Sequence, residues 1–259
     1  MVNTRRLGGL GLAAAFLLVA ACSDTLNDPL TSAEEAALNF DVAAYAGDAT
    51  VDDIAMMTDE ADQVLPAGPF SRGPGFGRLS DYEVSRSITF YNGEDPQGEM
   101  DAYDPLLTAS INIVFEMSGS RARETDRGTL THTISRSRDM TVSGLLGEET
   151  ERTWNGTGSS AKNASVVSDA TGDRSYSFSA SSIITDVVIP VPRGSGWPLS
   201  GTIERTVTAE WVVGEETRER MRTVLVEFNG THLVPITVNG ELFTLNLETR
   251  EIIRVSDET

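Results

Sequence analysis

Apolar and polar residues alternate along most of the chain after Leu79, which is the period of a strand with one buried face. Threonine and serine fill many of the polar positions, as expected for antiparallel strands with one face in water. The clearest alternating runs cover 82–90, 111–117, 130–142 and 176–180. The pattern predicts a mainly β fold, an antiparallel meander of about nine to eleven strands. It leaves two forms open, a curved open sheet or half-barrel and a closed barrel.

Asn-Gly pairs mark the expected hairpins, because a type I′ turn needs positive φ at both central residues. Four pairs occur, beginning at Asn92, Asn155, Asn229 and Asn239. The last two lie ten residues apart and predict a three-strand meander near the C-terminal end of the sequence.

Two-residue turns at these last two pairs would fix the register of that meander. The first turn would set Glu227 opposite His232, where a charge-assisted pair satisfies both side chains. The same register assigns five apolar residues to the core face: Leu225, Val234, Ile236, Phe243 and Leu245.

Residues 31–59 carry a helical pattern instead. Overlapping capping boxes begin at Thr31 and Ser32, each followed three residues later by glutamate. We expect a first short helix to end at Gly47 and a second to run over 51–59. Met56 and Met57 in the second are expected to pack rather than to bind a metal.

Charge and composition divide the chain further. It has 39 acidic and 20 basic residues, and eleven of the acids lie between Cys22 and Phe70, where no lysine or arginine occurs. We interpret 22–65 as an acidic, solvated spacer with short helices; the alternative is a segment that recruits cations or a basic partner.

Seven of the twelve residues in 66–77 are proline or glycine, so 66–78 is predicted to be a linker before a β domain over 79–259. Such acidity disfavours nucleic acid as a partner.

The first 21 residues have the composition of a secretion signal, with two arginines followed by an apolar run too short to anchor stably in a bilayer. The run ends in Val19-Ala20-Ala21-Cys22, and Cys22 is the only cysteine. This segment resembles the lipobox of bacterial lipoproteins. The alternative is an ordinary signal peptide whose cleavage site happens to precede a cysteine. The β-rich remainder resembles uncharacterised β-rich bacterial lipoproteins.

The lipobox resemblance implies a covalent diacylglycerol on the thiol of Cys22, cleavage before that residue and an N-acyl chain on the new terminus. Two or more chains anchor a protein stably, whereas one does so marginally. Ser23, rather than aspartate, follows the cysteine. By the same resemblance, this implies attachment to the outer membrane, on its periplasmic face.

Candidate chemistry in the remainder is sparse. A cluster of carboxylates is a weak calcium candidate, although its spacing does not match the loop of an EF-hand. Its members are Glu94, Asp95, Glu99, Asp101 and Asp104. No nucleophile elbow, phosphate-binding loop or dinucleotide fingerprint occurs. We therefore expect no metal, no cofactor beyond the acyl chains and no enzymatic activity.

Arginines recur at strand spacing in two places, Arg136 and Arg138 in one strand and Arg218, Arg220 and Arg222 in another. Such rows could hold an anionic headgroup or glycan. Cross-strand ion pairing is the favoured interpretation, with Glu210 opposite Arg220.

Two functions fit these features. The first is a lipid-anchored, non-enzymatic envelope protein that scaffolds or binds another envelope component. The second is a carrier of a lipid or other apolar ligand in a cavity of a half-barrel, which requires an apolar pocket of several hundred cubic ångströms.

Overall fold

One helix and eleven strands make up the described part of the protein in a computed structural model. The structure describes residues 29–64, 82–93, 98–125, 128–147, 149–167, 174–192, 196–213 and 216–255. The expected signal sequence, Cys22 and the linker over 66–78 lie outside these residues. The elements are α1 (Ser32–Val64), β1 (Tyr82–Tyr91), β2 (Glu99–Met100), β3 (Ser110–Thr125), β4 (Gly128–Ser143), β5 (Glu151–Val167), β6 (Arg174–Pro190), β7 (Ser200–Val213), β8 (Glu216–Glu227), β9 (Leu233–Val238), β10 (Glu241–Asn246) and β11 (Ile252–Arg254).

The strands form one antiparallel meander sheet in the order β2-β1-β3-β4-β5-β6-β7-β8-β9-β10-β11. All the pairs within it are antiparallel, as the alternating pattern predicts. The sheet is not closed, because β2 and β11 do not pair with each other. Of the two forms left open by the sequence, the open curved sheet is therefore the one observed.

The N-terminal segment forms a single helix of 33 residues in place of the two short helices expected. Its start is the predicted capping box: the Thr31 amide donates to Glu34 Oε2 at 2.9 Å, and the Glu34 amide donates to Thr31 Oγ1 at 3.3 Å. The Thr31 hydroxyl also donates to Glu34 Oε2, at 2.8 Å, and the amide and hydroxyl bonds from Thr31 together hold the pKa of Glu34 below its usual value. The cap thus fixes where α1 begins.

Gly47 was expected to end the first helix, and it lies inside α1 instead. Glycine is a weak helix former, but here it is needed for close packing. A Cβ at this position would lie 2.8 Å from Ile252 Cδ1 and 3.1 Å from Leu245 Cδ1. The helix therefore continues through Gly47 because the glycine lets it approach β10 and β11.

One face of α1 is buried against the sheet, so this segment is not the solvated spacer we expected. Apolar and small residues recur along that face at helical spacing, and several have no exposed surface. They join a single core with the inward residues of the strands. The buried apolar residues of α1 are Leu38, Val42, Ala43, Tyr45, Ala46, Ala49, Met56 and Met57.

The Asn-Gly pairs do not all form two-residue turns. Asn239 and Gly240 form the predicted two-residue turn, with φ of 47° and 87°. The prediction at Asn155 is wrong, because this residue lies within β5 at a bulge. There its side-chain amide donates to Asp186 Oδ1 at 3.0 Å and its Oδ1 accepts the Asp186 amide at 2.9 Å. Asparagine here stabilises an irregular strand rather than a turn.

Asn229 begins a wider loop than a two-residue turn. Its Oδ1 accepts the Thr231 amide at 3.1 Å, and its Nδ2 donates to the carbonyl of Leu233 at 3.1 Å. Pairing between β8 and β9 consequently begins further from the loop than predicted, with Val226 opposite Ile236. The predicted register between these two strands is wrong by an odd number of residues, which reverses the face of β8.

The reversal changes three assignments. Leu225 is half-buried and lies opposite Thr237, Glu227 is exposed, and the pair between Glu227 and His232 does not form. Val224 and Val226 of β8, and Phe228 directly after it, are the residues on the core side.

The register between β9 and β10 agrees with the prediction at every pair. The four core residues assigned there, Val234, Ile236, Phe243 and Leu245, have no exposed surface.

Phe243→Ala should lower the free energy of unfolding by about 3–5 kcal/mol, because the ring is fully buried and its loss leaves a cavity. Leu242→Ala on the adjacent, exposed position is the control and should change it by no more than about 0.5 kcal/mol. Urea unfolding of both variants measures this difference. Equal effects would contradict the register of β9 and β10.

Candidate functional site: the charge layer between helix and sheet

Charge is segregated between the two faces of the sheet. In β1 and β3–β8, the basic side chains that the structure describes all lie on the face that α1 covers: Arg86, Arg136, Arg138, Arg152, Lys162, Arg205, Arg218, Arg220 and Arg222. The opposite face is rich in serine and threonine and carries exposed acids: Glu83, Glu116, Asp139, Glu151, Glu204, Glu210, Glu219 and Glu227. Because α1 holds nine acids and no base, its docking brings opposite charges together. We call the polar contacts between α1 and this basic face the charge layer.

Asp53 lies at the centre of the charge layer and is completely buried. Arg138 donates to it through two nitrogens, Nε to Oδ1 at 2.9 Å and Nη2 to Oδ2 at 3.1 Å. Arg205 Nη2 donates to Oδ2 at 2.7 Å from the other side. One carboxylate of α1 is thereby joined to β4 and β7.

Arg138 is also held by the backbone. Its Nη1 donates to the carbonyls of Ser137 and Ser159, both at 2.8 Å. Gly158 makes the space, since a Cβ there would lie 2.5 Å from Arg138 Cδ and 2.6 Å from Ser137 O. These two backbone carbonyls thus help to hold the guanidinium of Arg138 in place beside Asp53.

Arg205 has fewer hydrogen-bond partners than Arg138 for the donors of its guanidinium. Its Nη2 reaches Asp53 and, at 3.3 Å, Thr50 Oγ1, whereas its Nε and Nη1 are buried with no partner among the described residues. Burial lowers the pKa of Arg205 to about 10, which still leaves it charged at neutral pH. With two arginines and one aspartate, the cluster carries one net positive charge in the interior.

A second part of the charge layer lies near the start of α1. Arg222, which is buried, donates from Nε to Asn39 Oδ1 at 2.8 Å, and its Nη2 lies 3.3 Å from Glu35 Oε1. Asn39 Nδ2 in turn donates to Glu241 Oε2 at 2.9 Å. Glu241 also accepts a bond of 2.8 Å from Arg254 Nε. Polar contacts therefore continue from β8 to β11.

Each arginine row lies on one face of its strand, as its spacing predicts, but the predicted partners are wrong. In the pairing of β7 with β8, Glu210 lies opposite Glu219 and not opposite Arg220. A difference of one residue moves the acid to the outer face. The arginines in the row of β4, and Arg222 in that of β8, instead pair with acids and amides of α1.

The calcium candidates are not brought together where the structure describes them. Glu94 and Asp95 lie outside the described residues, and Glu99 and Asp101 are exposed. Asp104 Oδ1 accepts the Leu106 amide at 2.8 Å and so belongs to a turn. No group of three or more possible metal ligands occurs in the described part of the chain.

The two histidines lie in different parts of the fold. His132 is on β4, and the ring of His232 lies 6.2 Å from that of Trp197.

Comparisons with known proteins give no relative: no family model, no curated protein and no solved structure matches the chain. Among the residues that the structure describes, no helix has the length and apolar character that a membrane crossing requires.

Asp53→Asn should lower the free energy of unfolding by about 3–5 kcal/mol, because it leaves two buried guanidinium groups without a counter-charge. In an Arg205→Met background the same change should cost at least about 1 kcal/mol less, since one of the unpaired charges is gone. Urea unfolding of the four proteins measures the coupling. Glu204→Gln, exposed and adjacent in the chain to Arg205, is the control and should have an effect under about 0.5 kcal/mol.

Additive effects of the two substitutions would contradict the role given to Asp53.

Proposed function

We propose that this protein is a lipid-anchored bacterial envelope protein that scaffolds or binds another envelope component and catalyses no reaction. The observation that carries the proposal is the lipobox Val19-Ala20-Ala21-Cys22, which uses the only cysteine of the chain. Acyl chains on Cys22 provide the attachment to the membrane, and Ser23 favours the outer membrane, on its periplasmic face.

The position of α1 supports an anchored body held near the bilayer. Nine residues, 23–31, separate Cys22 from the first residue of α1. Even fully extended, they span no more than about 30 Å. Because α1 packs on the sheet, the long acidic stretch is part of the body, and the tether is correspondingly short.

The filled space under the sheet supports a scaffold over a carrier of apolar ligands. Val42, Ala46 and Met57 of α1 occupy the place where a half-barrel carrier would hold its ligand. A cavity with aromatic walls does lie near the start of α1, between Leu38, Phe178 and Trp211, but its volume is about 180 Å³. Drug-sized ligands occupy clefts of about 300–1,000 Å³. Two larger hollows, of about 400 and 330 Å³, are lined mostly by serine, threonine and charged residues, so the carrier function has less support.

The hydrogen bonds and the burial of Asp53 support a non-enzymatic function. A general base needs a free lone pair directed at a substrate. Asp53 instead gives both oxygens to arginines and is closed to solvent.

The exposed outer face supports a partner that is neither nucleic acid nor an anionic surface. Its acids would repel phosphate backbones and anionic lipid headgroups alike. A protein component of the envelope fits this face better.

Cys22→Ala should remove the acyl chains and release the protein from the membrane fraction, since no other anchor is proposed. Ser23→Ala, which keeps the thiol, is the matched control and should stay in the membrane. Fractionation with intact-mass spectrometry measures both. Tight membrane association of the Cys22→Ala protein after normal cleavage would contradict the proposal.

Ser23→Asp should move the lipidated protein from the outer to the inner membrane, because the resemblance assigns sorting to this position. Density-gradient separation of the two membranes measures the shift. Unchanged distribution, with lipidation intact, would contradict the proposed location while leaving the anchor itself unaffected.

A further inference from the structure

A cavity of about 210 Å³ lies between α1 and the sheet, beside the buried cluster around Asp53. Three basic side chains line it, each from a different element: Arg136 from β4, Lys162 from β5 and Arg250 from the turn after β10. Asp48 and Asp52 of α1 lie between them. The lining therefore has one net positive charge.

Asp48 pairs only loosely with two of the basic groups, although Arg250 also has a close partner in Asp52 at 2.9 Å. Lys162 Nζ is 3.7 Å from Asp48 Oδ2, and Arg250 Nη1 is 3.9 Å from Asp48 Oδ1. Both distances exceed the range of a hydrogen bond. The side chain of Asp48 is 48% exposed, so water weakens its attraction for both cations.

Arg136 is the buried member of the group, with a side chain only 8% exposed. Its Nη2 lies 3.1 Å from Asp52 Oδ2, while its Nε is buried with no partner among the described residues. Burial acts to lower the pKa of Arg136, but Asp53 and Asp52 outweigh it and hold that pKa above the ordinary value. The group is a permanent cation with an unused donor.

Arg250 occupies a backbone conformation that favours glycine or asparagine, with φ of 64°. Its amide donates to the Asn246 carbonyl at 2.8 Å, which closes the turn after β10. Its Nη2 reaches Asp52 at 2.9 Å.

Lys162 is the only lysine in the chain; the other nineteen basic residues are arginines. A lysine is a compact charge on a flexible stem, which can follow a ligand where a planar guanidinium cannot. Its side chain is 30% exposed and so lies where the cavity meets solvent.

From this arrangement we infer that the cavity between α1, β4 and β5 is a binding site for a phosphate group, held by Arg136, Lys162 and Arg250. A phosphate offers several acceptor oxygens and matches donors that converge from separate elements. Free phosphate and the phosphomonoester of a lipid headgroup share this chemistry. The inference does not depend on the proposed function.

Titration calorimetry of inorganic phosphate into the purified full chain, in a nonionic detergent at low salt, tests the site. We expect saturable binding of one phosphate per chain. Lys162→Gln should weaken it about tenfold, the loss expected for one charge-assisted hydrogen bond. Arg254→Gln removes the same charge from a position outside the cavity, and it should change the affinity by less than about twofold.

Absence of saturable binding would overturn the inference. So would equal weakening by the two variants, because that result assigns the effect to overall charge.

The single lysine supplies an independent readout. Acetylation of Lys162, followed by peptide mass spectrometry, should slow when phosphate is added and stay unchanged with chloride at the same ionic strength. Arg250→Gln should abolish that protection. Protection that persists in this variant, or that chloride reproduces, would overturn the inference.

A water-soluble short-chain phosphatidate distinguishes the two sources of the group. Tighter binding of phosphatidate than of inorganic phosphate assigns the site to a headgroup, and the reverse assigns it to the free ion. Failure of both to protect Lys162 would overturn the inference.

Discussion

The fold depends on one buried carboxylate. Asp53 is the contact through which α1 is joined to β4 and β7, and both of its arginine partners are as inaccessible as Asp53 itself. Burying these charges is costly unless each finds a partner, so the cluster is stable only when helix and sheet are assembled together. The sheet alone would expose several arginines among its inward apolar residues.

The same constraint explains why so acidic a segment precedes the strands. The basic side chains that the structure describes in the long strands lie on the covered face, and the exposed acids of those strands lie on the other. A neutral amphipathic helix could bury the apolar part of this face, but it would leave Arg138, Arg205 and Arg222 without counter-charges. Asp53 therefore acts as a core residue and other acids of α1 pair with basic groups at its edge, so only part of the net charge of −19 is available to repel a partner.

The features predicted correctly from the sequence are those that a few neighbouring residues determine. Strand period, the capping box at Thr31 and the turn at Asn239-Gly240 each depend on a few neighbouring residues, and all three were confirmed. Arg136 and Arg138 were assigned to one strand at the spacing of a single face, which is what β4 shows.

Features that depend on distant contacts were missed. Gly47 resembles a helix stop until Ile252 is known to pack against it. Asn155 and Asn229 are each followed by glycine, which favours a tight turn. Asn155 instead lies in a bulge, bonded to Asp186, and Asn229 begins a wider loop. The pairing of Asp53 with two arginines could have been suspected from one signal: unpaired arginines facing a core, in a chain whose excess acids lie elsewhere.

Anchoring and binding are separable in this architecture. The proposed lipid attachment lies before Thr31, whereas the charge layer and the phosphate cavity lie within the body. A short tether would hold the body close to the bilayer, so a phosphate-bearing headgroup is within the range that the cavity could sample.

Native-state hydrogen exchange at increasing urea concentration tests most directly whether helix and sheet form one cooperative unit. The structure predicts that the amides of α1 around Asp53 exchange only through global unfolding, with the same free energy and the same urea dependence as the amides of β4 and β7. Exchange of α1 at a distinctly lower free energy, while the sheet stays protected, would contradict the central role of the Asp53 cluster.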